Sequence, residues 1–158
     1  VTVAPQAPAV VFDDIDQAVE ALRARGLRLS MIRAQILEAL FAAPGPVCAE
    51  SIAARLGLVA TSVYRNLETL ERHGIVRHVH LGHGPGLYSL LRHGEQEYIY
   101  CPGCGEARTV RPALLDPVRN HIRRRFGYEV RFTHFALVGS CGSCTGAARP
   151  GTAEMLHH

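Results

Sequence analysis

Two C-x-x-C knuckles, Cys101-Pro-Gly-Cys104 and Cys141-Gly-Ser-Cys144, constrain this chain more than any other feature. Zinc prefers four soft or borderline ligands in a tetrahedron, and each C-x-x-C delivers two thiolates from one tight turn. The 36 residues between the knuckles spell a strand, a helix and a returning strand, a path that brings the two ends together. For a second unit of roughly 55 residues such a clip is a major stabiliser, because metal-binding and folding free energy are then the same quantity. A closed shell of four thiolates leaves no open position for catalysis, and no convincing acid/base pair stands elsewhere, so an enzyme is not expected. The competing reading of the knuckles is a redox disulfide pair. The fifth cysteine, Cys48, reads as a small buried apolar residue near a helix start.

A chain of 158 residues that is 47% apolar fills one ordinary core, or two small ones when something besides apolar burial helps the second. No stretch of about 18 uninterrupted apolar residues occurs, and VTVAPQAPAVVF at the start lacks both a basic end and a sustained apolar run. The expectation is a soluble, cytoplasmic protein with no membrane partner. The net charge of +3 declares nothing by itself, but its distribution does. Asp13, Asp14, Asp16 and Glu20 precede Arg23, whereas Arg23 to Arg92 holds nine arginines against the four acids Glu38, Glu50, Glu68 and Glu71.

Hydrophobic periodicity divides the chain. Residues 1–12, rich in Pro, Ala and Val, read as a disordered arm. Ile15, Val19 and Leu22 recur at helical spacing behind an Asp cap and before Gly26; Ser30 caps a second helix with Ile32, Ile36 and Leu40; a third fits Ala49 to Leu56 before Gly57. A fourth helix begins near Thr61 and ends at His73-Gly74, with Val63, Leu67 and Leu70 inward. The period then changes to two in Ile75 to Leu81 and Leu87 to Leu91, around the breaker Gly82-His83-Gly84-Pro85-Gly86, which predicts a hairpin. Beyond it come a short strand into Cys101, an amphipathic helix with Leu115, Val118, Ile122 and Phe126, and a long strand from Tyr128 to Val138. The fold class is therefore α+β: a winged helix-turn-helix domain over 13–92, a small α/β metal-binding domain over 93–145 with a four-cysteine zinc site, and a flexible tail over 146–158.

The fourth helix puts Ser62, Tyr64 and Arg65 in its first turns, the part of a recognition helix that meets base edges. With RGLRLSMIRAQIL before it, GIVRHVHLGHG after it and the knuckles beyond, the order of motifs resembles the ferric uptake regulator family over residues 18–145. The resemblance implies a homodimeric repressor on palindromic double-stranded operator DNA. It also implies that Tyr64 packs on a thymine and the backbone, that Arg65 contacts a base edge or phosphate, that Arg28 reaches the minor groove, and that Cys101, Cys104, Cys141 and Cys144 hold structural zinc. The linker Leu56-Gly57-Leu58-Val59-Ala60 is several residues shorter than in most relatives.

Relatives of that family sense a divalent metal between their domains, and most carry a His-rich tract just before the first knuckle. Here the tract reads Glu95-Gln96-Glu97-Tyr98-Ile99-Tyr100, without histidine, and Ser89 stands where relatives often supply a carboxylate. Another set is present. His78 and His80 alternate on the wing strand and so share a face, while His134 lies in an otherwise apolar run where a satisfied core histidine is the ordinary explanation. His78-Val-His80-Leu-Gly-His83-Gly together with Thr133-His134-Phe135-Ala136 is similar to the nickel uptake regulator branch. That likeness implies that His78, His80 and His134 form the regulatory site, with nickel the first choice and zinc or iron the others. His83 reads as exposed. The rival readings are a DNA-binding regulator that has lost metal sensing and a thiol or peroxide redox-sensing repressor.

Overall fold

Asp14 starts the first helix by accepting the Gln17 backbone amide at 2.8 Å, and α1 then runs Ile15–Ala24. The computed structural model describes residues 7–146. Ser30 caps α2 (Met31–Ala42) in the same way, accepting from the Arg33 amide at 3.2 Å. A short strand, β1 (Val47–Cys48), leads into α3 (Ala49–Leu56), which Gly57 ends in the left-handed conformation with φ +65°. A glycine meets that angle at little cost. Only Leu58 and Val59 separate this turn from α4 (Ala60–Arg72), so α3 and α4 pack as a tight helix-turn-helix.

The periodicities foretold which faces turn inward. Leu22 of α1, Ile36 and Leu37 of α2, and Val63, Leu67 and Leu70 of α4 are fully buried in one core with Ile52 of α3 and Val76 of the strand that follows. That strand, β2 (Val76–His80), pairs antiparallel with β3 (Gly86–Leu90), and β1 joins the other edge of β3 in a three-stranded wing of order β1-β3-β2. Two-residue β1, with Val47 opposite Tyr88, was not foreseen, because a run so short carries no period to read.

The second half is a separate three-stranded sheet of order β5-β4-β6. β4 (Glu97–Tyr100) enters the first knuckle and β5 (Ala107–Val110) leaves it, paired antiparallel with β4. A single 3-10 turn, Pro112–Leu115, leads into α5 (Asp116–Phe126). β6 (Leu137–Val138) returns parallel to β4, and the short helix α6 (Gly142–Thr145) carries the second knuckle. Among the described residues no helix is long and apolar enough to cross a membrane.

Three expectations need correction. The long strand from Tyr128 to Val138 is a strand only at Leu137–Val138. A strand needs a ladder partner for its backbone groups. β5 already occupies one side of β4, and residues 134–136 turn away to bond His80 of the wing. Second, α5 does not bury its apolar stripe: Leu115 just before it is buried, but Val118 and Phe126 are 43% and 64% exposed. Third, the segment 7–12 is docked rather than loose. Phe12 is buried against Phe41 with ring centroids 5.8 Å apart, Val10 donates to the Gly74 carbonyl at 2.9 Å, and Arg77 donates to the Ala7 carbonyl at 2.8 Å. A side chain at Gly74 would collide with the Pro8 carbonyl, at 2.1 Å from its Cβ. Residues 1–6 and the tail expected over 146–158, apart from Gly146, lie outside the described residues.

Phe12 thus belongs to the first core, and Phe12→Ala should destabilise the protein by about 3 kcal/mol, the ordinary cost of emptying a buried aromatic site. Urea denaturation followed by the helix signal checks this; a midpoint equal to that of the unaltered protein would mean the segment contributes no packing.

Candidate metal centres and nucleic-acid interface

The two knuckles meet as their spacing predicts. The sulfurs of Cys101, Cys104, Cys141 and Cys144 all lie within 4.8 Å of one another. Tight backbone turns aim them: Gly105 donates to the Cys101 carbonyl at 2.8 Å, Cys144 donates to the Cys141 carbonyl at 2.9 Å, and the Cys141 amide donates to Cys101 Sγ at 3.3 Å. Gly103 leaves room for the cluster, since a Cβ there would stand 3.1 Å from Cys144 Sγ. All four are free thiols, with Cys104 and Cys141 sulfurs 3.6 Å apart, well beyond a disulfide bond length.

Electrostatics in this cluster is divided. The amides of Cys141 and then Cys104 pull the Cys101 thiol down to about 6, whereas the sulfurs of Cys141, Cys101 and Cys104 push Cys144 up to about 12. Four thiolates so close repel one another unless a cation lies among them. An all-sulfur donor set at this spacing fits zinc.

A second cluster joins the two halves. The ligand atoms of His78, His80 and His134 also lie within 4.8 Å of one another. His78 and His80 are on one face of β2, with ring centroids 5.7 Å apart; His134 stands 4.3 Å from His78 and 5.2 Å from His80 on the same measure. Its placement follows from main-chain bonds: the His80 amide donates to the His134 carbonyl at 2.8 Å, and the Ala136 amide donates to the His80 carbonyl at 3.1 Å. Beneath lies a small core of Val79 from the wing, Tyr98 from β4, and Ala136. Burial first, and then the His78 and His80 rings, lower the His134 pKa and favour its neutral, lone-pair-bearing form. Three such nitrogens suit a divalent first-row ion and do not choose among them.

Other residues of the sequence reading fall outside this cluster. His83 is exposed in the wing turn. Ser89 Oγ is 3.5 Å from the Tyr98 hydroxyl, and the acids ahead of the first knuckle serve arginines. Arg77 Nε donates to Glu95 at 3.2 Å and buried Glu97 accepts from Arg119 at 2.7 Å. Cys48 is half-buried at the start of α3, 3.1 Å from the Ser51 hydroxyl.

On α4, Arg65 is exposed, Ser62 half-buried, and Arg28 exposed between α1 and α2. Tyr64 packs edge-on to Tyr88 at 6.5 Å and donates its hydroxyl to Glu50 of α3 at 2.6 Å, which lowers the Glu50 pKa and raises that of Tyr64. Sequence reasoning missed Glu50, for which there was no signal. It also missed Glu71, whose carboxylate oxygens both lie 2.8 Å from His78 Nδ1. An acid in the last turn of a helix, seven residues before a candidate ligand, was the available clue.

A helix-turn-helix unit, a three-stranded wing bonded to a cysteine-clipped second half, and a histidine cluster at their junction define a winged-helix protein with two candidate metal centres. Residues 29–79 match the family described as Helix-turn-helix domain. The ferric uptake regulation protein of Vibrio cholerae is 26% identical over 133 residues, 78% of this chain and 87% of that protein. That of Bacillus subtilis is 27% identical over 88 residues, 54% of this chain and 59% of that protein. Among solved structures, the Helicobacter pylori ferric uptake regulator, described as having three functional metal binding sites, superposes with TM-score 0.65 at 16% identity, covering 86% of this chain and 97% of that one. The Vibrio cholerae regulator gives 0.57 at 24% identity, covering 77% and 98%. The chain is thus similar in sequence to ferric uptake regulation proteins and shares the fold of solved ferric uptake regulators.

The Tyr64 geometry separates packing from hydroxyl chemistry. Tyr64→Phe keeps the ring on the core and should shift stability by less than about 1 kcal/mol, the net worth of one exposed hydrogen bond. Tyr64→Ala should cost roughly 2 kcal/mol through lost packing. Thermal melts of the two variants check this order, and equal melts would mean the ring is not packed.

Proposed function

We propose that this protein is a metal-dependent transcriptional repressor that binds palindromic operator DNA as a homodimer. In this reading Cys101, Cys104, Cys141 and Cys144 hold structural zinc, and His78, His80 and His134 form the regulatory site. The observation that carries it is the meeting of three imidazoles drawn from both halves of the chain within 4.8 Å. Nickel is the first choice, on the likeness of the two histidine motifs to the nickel uptake regulator branch, with zinc or iron the alternatives. Bound there, an ion supplies one set of bonds shared by wing and second half.

The residues do the rest. His78 and His80 anchor the end of β2, whose other edge neighbours carry the wing, while His134 anchors the chain that leads through β6 to the second knuckle. Cross-linking these three restrains the wing, and with it α4, relative to the second half, so the conformer that fits DNA gains population. Exposed Leu114, Val118, Phe126 and Tyr128 offer the apolar surface for a second copy. A twofold dimer with one recognition helix per chain demands a symmetric site on DNA. Arg65 on the outer face of α4 reads a base edge or phosphate, Ser62 and Tyr64 flank it, and Arg28 supplies backbone or minor-groove charge.

Arg65→Ala should weaken operator binding by about 1–3 kcal/mol if a base contact is lost. Arg28→Ala should weaken binding to all sequences and flatten the salt dependence. Electrophoretic mobility shifts across a salt series distinguish them, and wild-type affinity in Arg65→Ala would remove α4 from the interface.

The sensing reading is tested by titrating the protein with nickel, zinc and iron while operator binding is followed. His80→Ala should lose the metal response yet keep one tightly held zinc per chain, whereas Cys141→Ser should lose that zinc and the folded second half. An unchanged metal response in His80→Ala would sink the histidine site. No response in the unaltered protein would favour a regulator that binds DNA regardless of metal.

A further inference from the structure

Glu71 sits where helix stability alone would not put it. It occupies the last turn of α4, whose exposed carbonyls make that end partly negative and disfavour a carboxylate. It is also largely buried, at 17% exposure, so it loses water as well. A residue that breaks a local rule needs a compensating contact, and Glu71 has one. Both its oxygens lie 2.8 Å from His78 Nδ1, and Oε1 also accepts the His78 backbone amide at 3.2 Å.

The chemistry of that contact fixes the imidazole. A carboxylate only accepts hydrogen bonds, so His78 Nδ1 must carry the hydrogen, which leaves the lone pair on Nε2. Glu71 is outside the group of donors that lie within 4.8 Å of one another, so it stands behind a ligand rather than among the ligands. Metal-binding histidines generally donate their second ring N–H to a carboxylate or carbonyl, which sets the tautomer and raises ligand basicity. Here the carboxylate belongs to the helix that carries Arg65 six residues earlier.

We propose that Glu71 is the positioning residue of the histidine cluster, fixing His78 as an Nε2 donor and tying that cluster directly to the recognition helix. The proposal rests on the three-histidine reading of the regulatory site. An imidazole whose Nε2 is engaged is a stronger Nδ1–H donor, so it grips the carboxylate, and the end of α4, more firmly. The link is a physical contact between a candidate sensory ligand and the helix whose position decides DNA binding, without a chain of intermediates.

The test uses the full chain with its cysteine zinc in place, titrated with nickel against a chelating dye. Glu71→Ala should bind nickel about 10–100-fold more weakly than the unaltered protein. Glu71→Gln, which keeps an acceptor oxygen, should fall between them, and His80→Ala should not bind at the cluster. Zinc content and melting temperature establish that each variant is folded. In the unaltered protein carrying a second equivalent of diamagnetic zinc, nitrogen-15 NMR of the His78 ring should show a metal-bound Nε2 and a protonated Nδ1. Metal-bound Nδ1 there would overturn the proposal without any variant. Nickel affinity of Glu71→Ala within twofold of the unaltered protein, with His80→Ala silent, would overturn the role of Glu71 alone. Unaltered nickel binding in His80→Ala would overturn the three-histidine reading, and this proposal with it.

Discussion

Two main-chain hydrogen bonds hold the molecule's parts in register: His80 to the His134 carbonyl, and Ala136 back to the His80 carbonyl. They are the start of a parallel ladder that goes no further, since the bridge at His80 and Phe135 is isolated. Because the side chains of a strand alternate, this single register puts His134 over the face that His78 and His80 share. A slip of one residue would send His134 to the other side. The ladder also decides why residues 134–136 fail to extend along β4, for the same backbone cannot serve the wing and the second sheet at once. The junction is underlain by only Val79, Tyr98 and Ala136 as buried residues, so it is a small contact by the standard of the helical core. A joint of that size holds a geometry while remaining responsive to what binds across it.

The two halves are stabilised by different physics. The first buries aliphatic stripes from four helices and a strand, and it adds a buried arginine, Arg77, that pairs with Glu95 and reaches the Ala7 carbonyl. The second has no buried residue in α5, and in place of an apolar stripe it carries the Arg119–Glu97 pair and a four-sulfur cluster whose spacing fits a zinc clip. A buried ion pair of this kind offers orientation more than net stability, because desolvation offsets much of the attraction. That imbalance was visible in the spacing of the cysteines, which asked for a clip in a segment with too little apolar surface of its own.

Much of the fold could be read because its signals are local. Asp14 and Ser30 cap where they stand, Gly57 ends its helix, and the change from a helical to an alternating period marks the wing. The cysteine cluster was legible because each knuckle is a self-contained turn. The histidine cluster was legible in two ways: His78 and His80 share a strand face by periodicity, whereas His134 could be named only through a family likeness, because the tertiary hydrogen bonds that bring it to them follow no local period. The same limit hid Glu50 and Glu71, whose partners Tyr64 and His78 are brought near by packing. It hid the role of Phe12 too, since a single aromatic in a Pro- and Ala-rich stretch has no period, and its burial depends on Phe41 and the Arg92 carbonyl.

That last dependence sets an order of assembly. Residues 7–12 dock on Gly74, Arg77 and Arg92, some 60 to 80 positions later in the chain. Contacts so distant in sequence carry a loop-closure cost that local helices do not, and they form only after the intervening structure exists. The four helices can therefore assemble around their own stripes first, with Phe12 closing the remaining gap once the hairpin has been made.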